Sequence, residues 1–270
     1  MAESRKVVNL LGAAGIAFVA LTSGALADGY EGSIKDAPKD EGRKFTYSFS
    51  ATGTSDYVFR GLSQTDNDPT IQGAINLGYG IFYAGVWASG LDFEPVGNDG
   101  KIEMDWYGGI KPTWGPLTFD FGVIYYSYPG ANFTAGGPEL DYIEYKAGVS
   151  GSPFTNAVLG ATVYYSDDSF AETGEVFTYE ATAAYTFASV GPFTPTISGL
   201  VGYVDAQDAA YFAFNGVDSY TYWNAGLALV VDKLTFDFRY WDTDVPSTAA
   251  ACFSDYCESR FVFSATVALP

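Results

Sequence analysis

Histidine is absent from this chain of 270 residues. That gap removes Ser-His and Asp-His machinery, in which an imidazole is the base or its partner. With two cysteines and no histidine, a usual zinc shell cannot be completed without carboxylates. Basic residues are scarce as well: 13 Lys and Arg stand against 32 Asp and Glu, a formal charge of −19. Such a chain repels a phosphate backbone, so nucleic acid is excluded as a partner. Beyond the N-terminal segment no apolar run approaches the roughly 18 residues of a helical membrane span. Phosphate-cradling loops are missing too, since Gly136-Gly137-Pro138 reads as a turn, and nothing calls for a cofactor.

What is present is aromatic and small. The chain holds 21 Phe, 21 Tyr, 5 Trp and 31 Gly, and 48% of it is apolar, which separates it from disordered acidic chains. Residues 1–27 read as a signal peptide: Arg5 and Lys6 precede an apolar stretch from Leu10 to Leu21, and Ala25-Leu26-Ala27 supplies the small residues of a cleavage site. Its removal takes Glu3, Arg5 and Lys6 with it and leaves −20. Residues 28–44 form a polar lead-in, a flexible periplasmic tail ahead of a domain at 45–270.

Within that domain the hydrophobic period is 2. Phe45, Tyr47, Phe49 and Ala51 alternate with Thr46, Ser48, Ser50 and Thr52; Leu234, Phe236, Phe238 and Tyr240 alternate with Thr235, Asp237 and Arg239. Twelve segments follow this rule, near 45–59, 70–79, 81–90, 101–111, 117–128, 141–150, 157–166, 175–187, 193–204, 219–231, 233–242 and 259–269. Short connections alternate with long ones, and an even strand number closes a sheet with both ends on one side. The pattern predicts an all-β, up-and-down antiparallel transmembrane barrel of the bacterial outer membrane, with short periplasmic turns and long outer loops. A secreted β-sandwich shares the alternation but turns its apolar faces inward. Tyr57, Phe59, Tyr79, Phe82, Tyr125, Tyr203 and Tyr240, near strand ends, fit interfacial girdles and favour lipid.

Counted from Phe45, parity puts Asp56 and Arg60 on the inner face with Glu103, Asp105, Asp120, Glu144, Glu180 and Asp237, opposed by Lys146 and Arg239. About 13 Å separates Asp56 from Arg60 along an extended strand, so each should meet charges from other strands. These groups either brace a largely filled barrel or, through their surplus of acids, make the lumen prefer cations among small solutes. Tyr83, Trp87, Tyr107, Tyr126, Tyr142, Tyr164 and Trp241 would narrow it, while Gly85, Gly109, Gly122 and Gly148 make room. Glu103 and Asp105 as a glycosidase pair is weak, because i and i+2 on one face is what alternation gives.

Cys252 and Cys257, in the longest outer loop, predict a disulfide in an oxidising compartment. Asp66, Asp68, Asp92, Glu94, Asp99, Asp167, Asp168, Asp205, Asp208, Asp242 and Asp244 make the outer rim acidic. It is either simply solvated or a divalent-cation surface bridging to lipopolysaccharide. That makes a non-conducting structural or surface-binding barrel the alternative to a diffusion channel.

The runs "SDYVFRGLSQTDNDPTIQG" (55–73), "FYAGVWASGLDF" (82–93), "EMDWYGGIKP" (103–112) and "FGVIYYSYPG" (121–130) resemble the TorF-type porin family of proteobacteria. The resemblance implies an outer-membrane barrel with a porin role; outer-membrane lipid and the barrel-assembly machinery are the partners expected of such a barrel. It matches a hallmark at Asp56, Tyr57, Arg60, Gly61 and Gln64 without giving those residues a chemistry. One departure is the C-terminal strand, which ends Leu269-Pro270 where such barrels commonly carry the aromatic that the assembly machinery reads.

Overall fold

Period-2 alternation becomes a wall of strands in the computed structural model, which describes residues 45–92, 100–131 and 138–269. The signal peptide and the tail at 28–44 lie outside the described residues. The strands are β1 (Phe45–Thr54), β2 (Val58–Phe59), β3 (Leu62–Ser63), β4 (Thr70–Tyr79), β5 (Phe82–Gly90), β6 (Ile102–Ile110), β7 (Thr113–Trp114) and β8 (Leu117–Ser127). They continue as β9 (Tyr142–Gly151), β10 (Ala157–Ser166), β11 (Val176–Thr186), β12 (Thr194–Ala206), β13 (Ser219–Val231), β14 (Leu234–Thr243) and β15 (Arg260–Leu269). Leaving aside the short β2, β3 and β7, twelve strands pair antiparallel in sequence order, and β1 pairs with β15, with Phe49 opposite Leu269 and Thr54 opposite Ser264. The sheet is therefore a closed barrel without a free edge.

Connections at one end are short, such as Gly80-Ile81 and Asp232-Lys233; at the other they are long, 55–69, 91–101, 128–141, 167–175, 207–218 and 244–259. A seven-residue helix α1 (Ala209–Asn215) lies in one long connection, and a 3-10 turn (Ala250–Asp255) with the Cys252–Cys257 disulfide lies in another.

Polarity runs inside out. Phe45, Tyr47, Leu77, Trp106, Phe121, Leu159, Val201, Phe238 and Phe263 are exposed on the outside, while Thr52, Glu144, Thr178, Asp237 and Thr266 are buried inside. A sandwich in water would do the opposite, so the apolar outer surface of this barrel faces hydrocarbon. Tyr79, Phe82, Tyr125 and Tyr203 sit on that surface as girdle residues should. Tyr57 and Phe59 do not. Tyr57 is buried and Phe59 packs against the same internal aromatic cluster, because β1 ends at Thr54 rather than near residue 59.

Candidate functional site: the lumen

The chain from Ser55 to Pro69 leaves the rim after β1 and folds into the barrel before β4 begins. Val58 and Phe59 pair with Ser63 and Leu62 in a small hairpin that is separate from the wall. Its turn is Arg60-Gly61, with φ of 48° and 83°, the left-handed pair that a two-residue turn needs. Glycine at 61 is also a matter of room: a Cβ there would stand 2.8 Å from the Tyr222 Cβ and 3.0 Å from the Thr243 Cβ. Asp56 and Arg60 are thus not two positions on one strand face. One stands at the base of the hairpin and the other at its tip.

Each meets a charge from the wall. Arg60 makes a two-pronged pair with Glu144 of β9, Nη1 to Oε1 at 2.8 Å and Nη2 to Oε2 at 2.9 Å. The Tyr126 hydroxyl donates to the same carboxylate at 3.0 Å, and the guanidinium lies 5.4 Å from the Tyr164 ring. Asp56 accepts from Ser63 Oγ at 2.7 Å and Thr65 Oγ1 at 2.8 Å, and pairs with Arg260 at 2.9 Å. Arg260 also donates to Asn67 and to the carbonyls of Asp255 and Tyr256. It thereby ties the hairpin to the disulfide loop, which reaches over to accept from Ser63 N at 2.9 Å through the Tyr256 carbonyl. The Tyr57 hydroxyl donates to Glu103 at 3.3 Å; burial, reinforced by Glu103, pushes that hydroxyl well above its ordinary pKa, which keeps the donor protonated.

The remaining charges lie as parity places them, all on the inner face. Asp120 of β8 accepts from the Tyr83 hydroxyl at 2.7 Å and meets Lys146 at 2.8 Å and Lys111 at 3.7 Å. Gly109 and Gly122 leave space for the Tyr83 hydroxyl and Gly85 for the Tyr107 ring, so these glycines house side chains more than they widen a pore. Asp237 and Arg239 of β14 pair at 3.0 Å, and Arg239 reaches on to Asn224 at 2.6 Å and Ser198 at 2.9 Å. Glu180 of β11 accepts from the Tyr222 hydroxyl at 2.6 Å. Glu103 and Asp105 of β6 are buried side by side; among the described residues no cation pairs with either, and Asp105 Oδ1 has no hydrogen-bond partner.

Of these lumen charges, those nearest the long loops are four carboxylates (Asp56, Glu103, Asp105, Glu144) and two guanidiniums (Arg60, Arg260), while Glu180, Lys146 and Arg239 lie at mid-strand. Nearest the short turns are Asp120, Asp237 and Lys111. On two strands exposure rises toward the short turns. Along β1, Thr54 and Thr52 are buried, Ser50 and Ser48 half-buried and Thr46 exposed; along β13, Tyr220, Tyr222 and Asn224 are buried while Gly226, Ala228 and Val230 are half-buried. In the long-loop half the hairpin packs among Trp87, Tyr126 and Tyr142 and fills the lumen; toward the short turns the inner faces of β1 and β13 are more exposed, while Thr196, Thr235, Asp237, Ser264 and Thr266 stay buried.

Sequence reasoning did not include Arg260, Lys111, Tyr222 or Asn224 among the site residues. Arg260 shares the inner parity of Val262 and Ser264 and was legible by that rule; Lys111 lies in a turn, where parity gives no direction.

A bacterial family described as of unknown function, Gcw_chp, matches residues 38–268. The chain belongs to this family. No curated protein matches it. Among solved structures, the KdgM porin superposes with a TM-score of 0.52 at 8% identity, over 83% of this chain and 99% of that one. The KdgM porin in complex with disordered oligogalacturonate gives 0.51 at 8% identity over 83% and 100%, and the NanC porin 0.49 at 10% over 82% and 99%. At such identities the likeness is one of fold: a porin-type barrel.

Proposed function

We propose that this protein is an outer-membrane channel for small solutes with a preference for cations, its long loops at the cell surface and its short turns in the periplasm. The observation that carries the reading is the pair of carboxylates Glu103 and Asp105, which among the described residues have no paired cation, near the long-loop end of a polar lumen. Carboxylates lining a constriction favour cations by direct Coulomb attraction, strengthened where water is few. The porin-type fold supports the channel, and the motif likeness to TorF-type porins agrees with it. Oligogalacturonate, present with KdgM, is a polyanion; an acid-rich constriction suits solutes of the opposite sign. No step of chemistry is involved, and the partners are outer-membrane lipid, lipopolysaccharide and the machinery that inserts barrels.

The closed long-loop half favours a second reading, a barrel that does not conduct. Planar-bilayer recording in a salt gradient separates the two. A channel gives discrete steps whose reversal potential reports cation preference, reduced in a Glu103→Gln, Asp105→Asn variant. Inserted barrels without steps would leave the non-conducting reading.

A further inference from the structure

We infer that the hairpin at 55–69 is a gate, seated in the described conformation and able to withdraw toward the long-loop end. The inference rests on the channel reading and goes beyond it by naming the moving part and its latch.

Four observations carry it. The hairpin is no part of the barrel wall: β2 and β3 pair only with each other. It hangs between β1 and β4, both of which end at the long-loop rim, so its withdrawal leaves the ladder between Phe45–Thr54 and Thr70–Tyr79 intact. The closure it makes lies in the long-loop half, where the inner faces of β1 and β13 are buried beside it and become half-buried toward the short turns. Finally, its seat is built from charge. Arg60 with Glu144 fixes the tip, and Asp56 with Arg260 fixes the base.

That last feature makes release less costly than that of a purely apolar plug, even with Tyr57, Val58, Phe59 and Leu62 packed against the buried clusters. Withdrawing an apolar plug exposes apolar surface to water with nothing regained. Separating a buried ion pair returns both charges to water, and the recovered hydration offsets much of the lost attraction. The tip is also matched in shape, because Gly61 fits against Tyr222 and Thr243 where any Cβ would clash. Seating is therefore specific: release has to undo two ion pairs, the Tyr57–Glu103 and Ser63–Tyr256 hydrogen bonds and the packing of Tyr57 and Phe59. The disulfide loop completes the device from above: the Tyr256 carbonyl and Arg260 both hold the hairpin, and the Cys252–Cys257 bond fixes the loop that carries them.

Single-channel recording of the full barrel tests this. Wild-type protein should show brief openings, and Arg60→Ala should raise the open fraction by about tenfold or more. The charge exchange Arg60→Glu with Glu144→Arg should bring it back to within roughly threefold of wild type, since it restores the pair. Because Arg60→Ala exposes the barrel to a folding defect, a second variant keeps the latch intact. Phe59→Cys with Tyr126→Cys, whose parent rings lie 6.1 Å apart, is bridged by a short thiol crosslinker. The bridge should abolish openings, while the same reagent leaves wild type unchanged. Openings that persist through the bridge, or an open fraction that Arg60→Ala does not alter, overturn the gate while leaving the channel standing. If neither wild type nor Arg60→Ala conducts, although both run as folded heat-modifiable barrels, the channel reading falls and the gate with it.

Discussion

The two halves of the lumen are built from the same residue types yet solve the burial of charge differently. Toward the short turns each described lumen carboxylate has a cation beside it: Asp120 beside Lys146 of the wall and Lys111 of a turn, Asp237 beside Arg239. In the long-loop half the wall supplies carboxylates and a separate segment carries in the arginine that answers one of them. A wall that neutralises itself is a brace. A wall that depends on an inserted hairpin has two states, because what neutralises it can leave. The difference teaches that the lumen carboxylates without a wall cation lie where the hairpin sits.

The largest expected effect lies in that half. Glu144→Ala leaves the Arg60 guanidinium buried among rings without its partner and should destabilise the barrel by about 3–5 kcal/mol, read from the denaturant midpoint for unfolding. If Arg60→Ala added to it does not recover most of the loss, the tip is held by packing rather than charge, and the contrast between the halves weakens. Next is the disulfide. Cys252→Ser with Cys257→Ser opens a loop of five residues' separation, so the loss should be about 2 kcal/mol by chain entropy. Urea denaturation measures it, and the open fraction should rise together with the loss.

Neutralising Glu103 and Asp105 sharpens the comparison in the other direction. Neither has a cation to lose, so Glu103→Gln with Asp105→Asn should leave stability within about 1 kcal/mol or improve it, because two like charges are removed. The same pair of changes should lower cation preference severalfold. Asp237→Asn, by contrast, should cost stability, since it leaves Arg239 uncompensated. The smallest effect concerns pH. Burial is the main cause that draws Lys111, in a short turn, down to about 8 from 10.5. The unfolded chain keeps that proton up to the higher value, so this group's contribution to folding is full above 10.5 and is lost as pH falls through 8. In the channel, loss of the Lys111 charge above pH 8 should raise cation preference slightly, and Lys111→Met should remove that step.

Much of the wall was legible in the sequence. Segments 70–79, 157–166 and 219–231 coincide with observed strands, because alternation over ten or more residues fixes both strand and face. The candidate lumen charges on β6, β8, β9, β11 and β14 followed from the same parity, and the cysteine pair from its spacing and compartment. The hairpin was not legible. Tyr57 and Phe59 continue the apolar parity of β1 beyond Thr54, so the pattern runs on where the chain has already turned inward. A two-residue turn most often announces itself as Asn-Gly or Asp-Gly, and here it is Arg-Gly, with the arginine at φ 48° held by Glu144. The contact that defines the site joins residues 84 apart in sequence and leaves no local mark.

The most direct measurement is the single-channel current of protein 28–270 refolded into a planar bilayer under a salt gradient, with Arg60→Ala recorded alongside. The account predicts discrete steps with a cation-selective reversal potential, brief in wild type and prolonged in Arg60→Ala. Well-inserted barrels that stay silent in both would contradict it.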